Sequence, residues 1–168
     1  MQSDVSVAGA NITLAAPITL LAEQHLLLFR PGKLGANDRL QTWLMWCLFC
    51  VCEPGENKQA WFLAEDKTLR HDALEPEEAK SYLQQILQYY LAGQDTCLPF
   101  FPRTSLNWAE QQDMDKALQA YIGNDFVPGE GLEQHNQRVF PLLSEVWSEF
   151  SDMADSVFQP MLMRESIQ

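Results

Sequence analysis

Apolar positions follow two rhythms along the first half of the chain. Leu26-Leu27-Leu28-Phe29 is a short apolar run closed by Arg30-Pro31-Gly32. A run of this length bounded by turn residues predicts a buried strand over 25–29. From residue 40 to residue 52 the chain is apolar almost all round, which predicts that a helix beginning near residue 37 is buried rather than amphipathic. Asn37 or Asp38 is the expected cap, through a side-chain oxygen. Around this strand and helix, residues 11–21, broken by Pro17, read as one strand, a bend and a second short strand, with a turn over 22–24. Residues 59–64 predict a further strand, and 68–74 its hairpin partner across Glu65-Asp66-Lys67.

The second half is helical in period. Residues 76–91 carry an apolar stripe from Tyr82, Leu83, Ile86, Leu87, Tyr90 and Leu91, with Pro76 at the first helical position and Gly93 as the expected stop. Residues 98–102 form an extended apolar connector. A helix is predicted over 108–122 with Gly123 ending it, followed by a loop over 124–131. From 132 onward the pattern is helical, with Pro141 separating two helices. The expected fold class is α/β (α+β): a small mixed sheet with packed helices, followed by a helical C-terminal part. The expected organisation is one domain over 1–168, with 1–10 polar and frayed, 11–104 holding the sheet and two long helices, and 105–168 a helical extension.

Charge changes the picture of function. The chain of 168 residues has a net charge of -12. Residues 1–84 hold 7 basic and 11 acidic side chains, residues 85–168 only 4 basic and 12 acidic. An acidic surface repels phosphate, so any nucleic-acid role needs a local basic patch or a partner carrying the positive charge. Residues 1–10 lack the basic start and apolar core of a signal peptide, and no apolar run is long enough to span a membrane. Cys47, Cys50 and Cys52 fall in one helix, where disulfide geometry is poor; reduced thiols in a cytoplasmic protein are expected.

Candidate chemistry is sparse. The CxxC of Cys47–Cys50 has no second ligand pair at zinc spacing, and Cys97, His25, His71 and His135 are scattered. Asp113 and Asp115 start like a calcium loop, but no glycine turn or closing glutamate follows. Gly129-Glu130-Gly131 lacks the Lys-Ser/Thr of a phosphate cradle. No serine or cysteine sits in a hydrolase signature. The residues by themselves support an interaction domain.

The strand from Leu26 to Arg30 resembles that of the RecB-type nuclease fold, the PD-(D/E)xK class. In that class the strand carries Asp-x-Lys: the Asp binds magnesium and the Lys stabilises charge on the scissile phosphate. Here Leu28 stands at the Asp position and Arg30 at the Lys position. An upstream Gly-x-Ile-Asp is matched by Ala10-Asn11-Ile12-Thr13, with Thr13 where the Asp belongs. Leucine cannot ligate magnesium and threonine carries no charge, so the resemblance implies a lost metal site and no catalytic residue.

A longer, ordered set of stretches is similar to the C-terminal domain of the RecC family, the gamma subunit of exodeoxyribonuclease V: LLLFRPGKL with RLQTWLMWCLFC, then WFLAEDK, EEAKSYLQQILQYYLAG, CLPFFPRTSLNW, ALQAYIGN, GEG and QRVF. The family's chains are several times longer, so this chain is expected to be one domain of such a subunit. The resemblance implies a non-catalytic scaffold that helps to guide separated strands in a helicase–nuclease complex repairing double-strand breaks. It implies RecB-like and RecD-like subunits and DNA ends as partners. It implies no metal or cofactor in this chain, with magnesium and ATP used by the partner subunits. Arg30, Lys33, Arg39 and Arg103 are the candidate DNA contacts, and Phe100 and Phe101 the candidate partner contacts. Two alternatives stay open: a protein-interaction module unrelated to DNA, and a live metal-dependent nuclease whose site is rebuilt by Glu23 or Glu65.

Overall fold

The computed structural model describes residues 1–7, 9–16, 21–22, 25–55 and 58–168. They form two compact units: Met1–Ala92 together with Arg164–Gln168, and Gly93–Met163. The boundary lies near 92 rather than at 104, and the last strand belongs to the first unit.

In the first unit, β1 (Gln2–Val7) pairs antiparallel with β2 (Ala10–Ala15). This corrects the expectation of a frayed start. The strand is legible in hindsight: Val5 and Val7, two apart, are both buried and pack with Leu87, while Ser3 two residues before Val5 masked the period. Each buried valine contributes about 1.5–3 kcal/mol. Gly9, at φ 82°, makes the turn between the strands.

A second sheet has the order β3 (Leu21–Ala22), β4 (His25–Phe29), β5 (Ala60–Leu63), β6 (Thr68–His71), β7 (Glu165–Ile167) among the described residues. β4 and β5 run parallel and the other neighbours antiparallel. A parallel pair needs a crossover, and α1 (Ala36–Cys52) supplies it. The strand feeding a buried helix is therefore present, as is the 60–63 with 68–71 hairpin. Residues 17–20 and 23–24, where a bend and a turn were expected, lie outside the described residues.

α1 is buried along most of its length. Trp43 and Trp46 are 1% and 0% exposed, and the Trp46 indole N–H donates to the Asp72 carbonyl at 3.0 Å. The helix is capped by Gly35, not by Asn37 or Asp38. Asp38 sits in its first turn instead, and its carboxylate accepts the Gly35 N–H at 3.0 Å. α2 (Pro76–Asp95) runs past Gly93. A side chain at Gly93 would meet only ordinary contact, so that glycine imposes no stop.

The second unit holds α3 (Pro102–Gln111), α4 (Met114–Ile122), α5 (Gln134–Val139) and α6 (Trp147–Leu162). The single helix expected over 108–122 is two. Pro102 starts α3 early, Gln112 adopts a left-handed conformation at φ 50°, and Asp113 begins α4 by accepting the Lys116 N–H at 3.2 Å. Phe101, Tyr121, Leu143, Phe150 and Ala154 are its core, with Trp108 packed edge-on to Trp147 at 5.1 Å. Among the described residues, no helix is long and apolar enough to cross a membrane.

Candidate functional site

The end of β4 and the start of α1 meet at one turn. The Arg30 N–H donates to the Leu63 carbonyl at 3.2 Å, continuing the parallel pairing by one residue. Gly32 holds φ 127°, which only glycine adopts without strain. The Glu65 N–H donates to the Gly32 carbonyl at 2.9 Å, and the Leu34 N–H to the Asp66 carboxylate at 2.8 Å. The turn carrying Lys33 is thus tied to the β5–β6 hairpin.

The four basic candidates separate on this frame. Arg30 is half exposed, and its guanidinium donates to the Asp38 carboxylate at 2.6 Å and the Lys33 carbonyl at 3.2 Å. Lys33 is exposed on the same turn. Arg39 is not a surface residue. It is buried, and its guanidinium pairs with the Glu165 carboxylate, which is itself buried. The long polar end of Arg39 is used to clip β7 onto the sheet, so it is withdrawn from the DNA-contact set. Arg103 is exposed in the second unit, and its guanidinium donates to the Pro128 carbonyl at 2.6 Å. Arg30 and Lys33 therefore share one surface turn, and Arg103 belongs to the other unit.

The aromatic candidates also separate. Phe101 is 3% exposed and surrounded by Tyr121 at 4.8 Å, Phe140 at 5.6 Å and Phe150 at 6.1 Å. It is a core residue and not a partner contact. Phe100 is half-buried and stacks on Phe158 at 5.9 Å.

Leu28 lies on β4 opposite Phe62, on the strand side of the buried Leu26. Thr13 lies on β2, in the other sheet, where its hydroxyl donates to the Asp4 carboxylate across the hairpin at 2.6 Å. The two positions expected to flank one site are not in one sheet. Glu65 is exposed at the turn beside Lys33; Glu23 lies outside the described residues. Among the described residues, no three His, Cys, Asp or Glu side chains cluster tightly enough to hold a metal ion.

Buried titratable groups line the interior of the first unit. Burial pushes the Cys50 thiol up to about 12 and the Cys47 thiol well above its ordinary value, so both behave as small apolar groups. His71 is fully buried beside Trp43 at 5.1 Å, and burial, with the Arg39 charge adding to it, lowers its imidazole to about 4.

A family model for the RecC C-terminal domain matches residues 2–113, two thirds of the chain. The chain belongs to the RecC C-terminal domain family. It is also 29% identical over 161 residues to the RecBCD enzyme subunit RecC of Escherichia coli (strain K12), covering 86% of this chain and 14% of that protein. The chain thus spans about a seventh of the relative's length. Arg30, Lys33, Arg39, Arg103, Phe100 and Phe101 all fall inside the family-matched segment.

Beyond that segment lies a feature the sequence reading missed. Ile122, Phe126, Val127, Leu132, Val139 and Leu142 are large apolar side chains exposed to solvent, Phe126 by 94%. The signal available was Phe-Val set inside a turn-forming stretch, NDFVPGEG, where polar residues are the rule.

Proposed function

We propose that this chain is a non-catalytic scaffold domain of a RecBCD-type complex, which processes double-strand DNA ends for recombinational repair in the cytoplasm. Membership of the RecC C-terminal domain family carries this reading. In it, RecB-like and RecD-like subunits supply the helicase and nuclease activities and use the ATP and magnesium. The fold is an inactivated relative of the PD-(D/E)xK nucleases. Leu28 and Thr13 at the acidic positions support that reading, because leucine offers magnesium no ligand and threonine lacks the charge of a carboxylate. The mixed sheet with a helix crossing between parallel strands is compatible with it.

Within the complex, Arg30 and Lys33 are the surface cations offered to a phosphate backbone; Arg103, engaged by the Pro128 carbonyl in the more acidic second unit, is left out of that contact. The net charge of -12 makes the free chain a weak DNA binder, so guidance of a strand depends on basic surfaces of the partners. The test is reconstitution with the RecB-like and RecD-like subunits of the same organism. The expected result is a stable complex, with no magnesium-dependent cleavage of forked duplex by this chain alone. Cleavage by the chain alone, lost on Glu65→Ala, would establish the live-nuclease alternative; failure to join either subunit would leave the unrelated interaction module.

A further inference from the structure

We infer that the loop around Phe126 is a preformed docking knob, whose occupant is a protein surface with an apolar socket rimmed by lysine and arginine. The inference rests on the scaffold reading above and adds to it which residues meet the partner and what chemistry the partner must present.

The loop is held tightly. Gly123 and Pro128 form a bridge across its base, and the Asn124 N–H donates to the Val127 carbonyl at 2.9 Å. The Asn124 carboxamide oxygen accepts both the Phe126 and the Val127 N–H at 2.9 Å. Gly123 is at φ 82°, and a Cβ there would lie 2.0 Å from the Gly129 nitrogen. A Cβ on Gly129 would lie 2.0 Å from the Tyr121 carbonyl, and one on Gly131 would strike the Tyr121 ring at 2.5 Å. Each of these glycines is required by close approach. The Glu130 carboxylate accepts the Arg103 and Thr104 N–H groups and the Thr104 hydroxyl, which ties the far end of the loop to α3.

A bare aromatic on a rigid loop has little conformational entropy left to lose on binding, and aromatic anchors of this kind carry a large share of interface energy. Charge selects the occupant. The second unit has eleven acidic and three basic side chains. Two of the three cations are engaged inside it, Arg103 on the Pro128 carbonyl and Lys116 on Asp113. Asp125 adjoins the knob. That field repels nucleic acid and anionic lipid, and it repels a second copy of the same surface. What it attracts is a protein patch of opposite sign.

The experiment measures affinity of the full chain for the RecB-like and RecD-like subunits, used as separate probes, for wild type and Phe126→Ser at two salt concentrations. Phe29→Ser, an exposed phenylalanine in the first unit, is the control. The expected result is a loss of at least about tenfold with Phe126→Ser at unchanged melting temperature, wild-type binding that weakens with salt, and no effect of Phe29→Ser. Wild-type binding that Phe126→Ser leaves intact would overturn this inference and leave the scaffold reading standing. No binding of wild type to either subunit would overturn both. Sedimentation showing Phe126-dependent self-association, or Phe126-dependent binding to phosphatidylglycerol vesicles or to forked DNA, would overturn the choice of occupant.

Discussion

The two units solve opposite problems. The first puts charge and polarity inside: Arg39, Asp38, Lys58, His71 and Thr42 are all buried. The second puts apolar groups outside, with six large apolar side chains exposed between 122 and 142. Buried charge is tolerated only where partners are placed accurately, so the first unit's polar interior dictates its own packing. Exposed apolar groups on a rigid loop do nothing for the isolated fold, so the second unit's surface is shaped for something it meets. The difference separates residues that specify the domain from residues that specify its company.

The sharpest way to break the first half of this contrast is at Arg39 and Glu165. Glu165→Ala leaves a guanidinium buried without that carboxylate and takes away the clip between α1 and β7. A loss of about 3–5 kcal/mol is expected, read by denaturant unfolding at neutral pH. Replacing both, as Arg39→Met with Glu165→Leu, is expected to recover most of that loss, because a buried guanidinium short of its carboxylate, and not the missing attraction, is what destabilises. Equal instability of the single and double variants would show that the pair is needed for attraction itself.

A smaller effect of the same kind is expected at His71. Its folded-state pKa of about 4 lies below the ordinary value of 6.5. As pH falls, the unfolded chain takes up a proton near 6.5, while the folded chain resists until about 4. Stability is therefore lost across that window, by about 3 kcal/mol at most, and this group adds no further loss below it. Arg39 opposes the charged imidazole; Glu165, opposite His71 on β7, already pairs with Arg39. His71→Phe removes this component of the acid slope in unfolding experiments run between pH 7 and pH 4. An unchanged slope would assign the acid sensitivity to other groups.

How much of this was legible in the sequence follows from range. The β4–α1 core, the β5–β6 hairpin and the burial of Trp43 and Trp46 were readable because local period and turn residues dictate them. Local spacing could not show that Arg39 faces Glu165, 126 residues away. Both look like surface charges until β7 joins the sheet. Phe101 failed as a surface candidate for the same reason: its ring is enclosed by Tyr121, Phe140 and Phe150, none of them near in sequence. The break at Gln112 was hidden because a left-handed glutamine carries no strong sequence signal. Thr13 and Leu28 were placed by analogy, and analogy does not fix which sheet a strand enters.

The smallest expected effect bears on the second half of the contrast. Phe126 is 94% exposed, so its ring buries almost nothing in the isolated chain. The hydrogen bonds that shape its loop use backbone N–H groups and the Asn124 side chain, not the phenyl group. Phe126→Ser should therefore shift unfolding free energy by less than about 0.5 kcal/mol, the range of an ordinary surface substitution. Equilibrium unfolding of both proteins in urea measures this directly. A shift beyond about 1 kcal/mol would mean that the ring packs against the chain in solution. The ring would then serve the second unit's own fold, and the contrast between the units would narrow to one of degree.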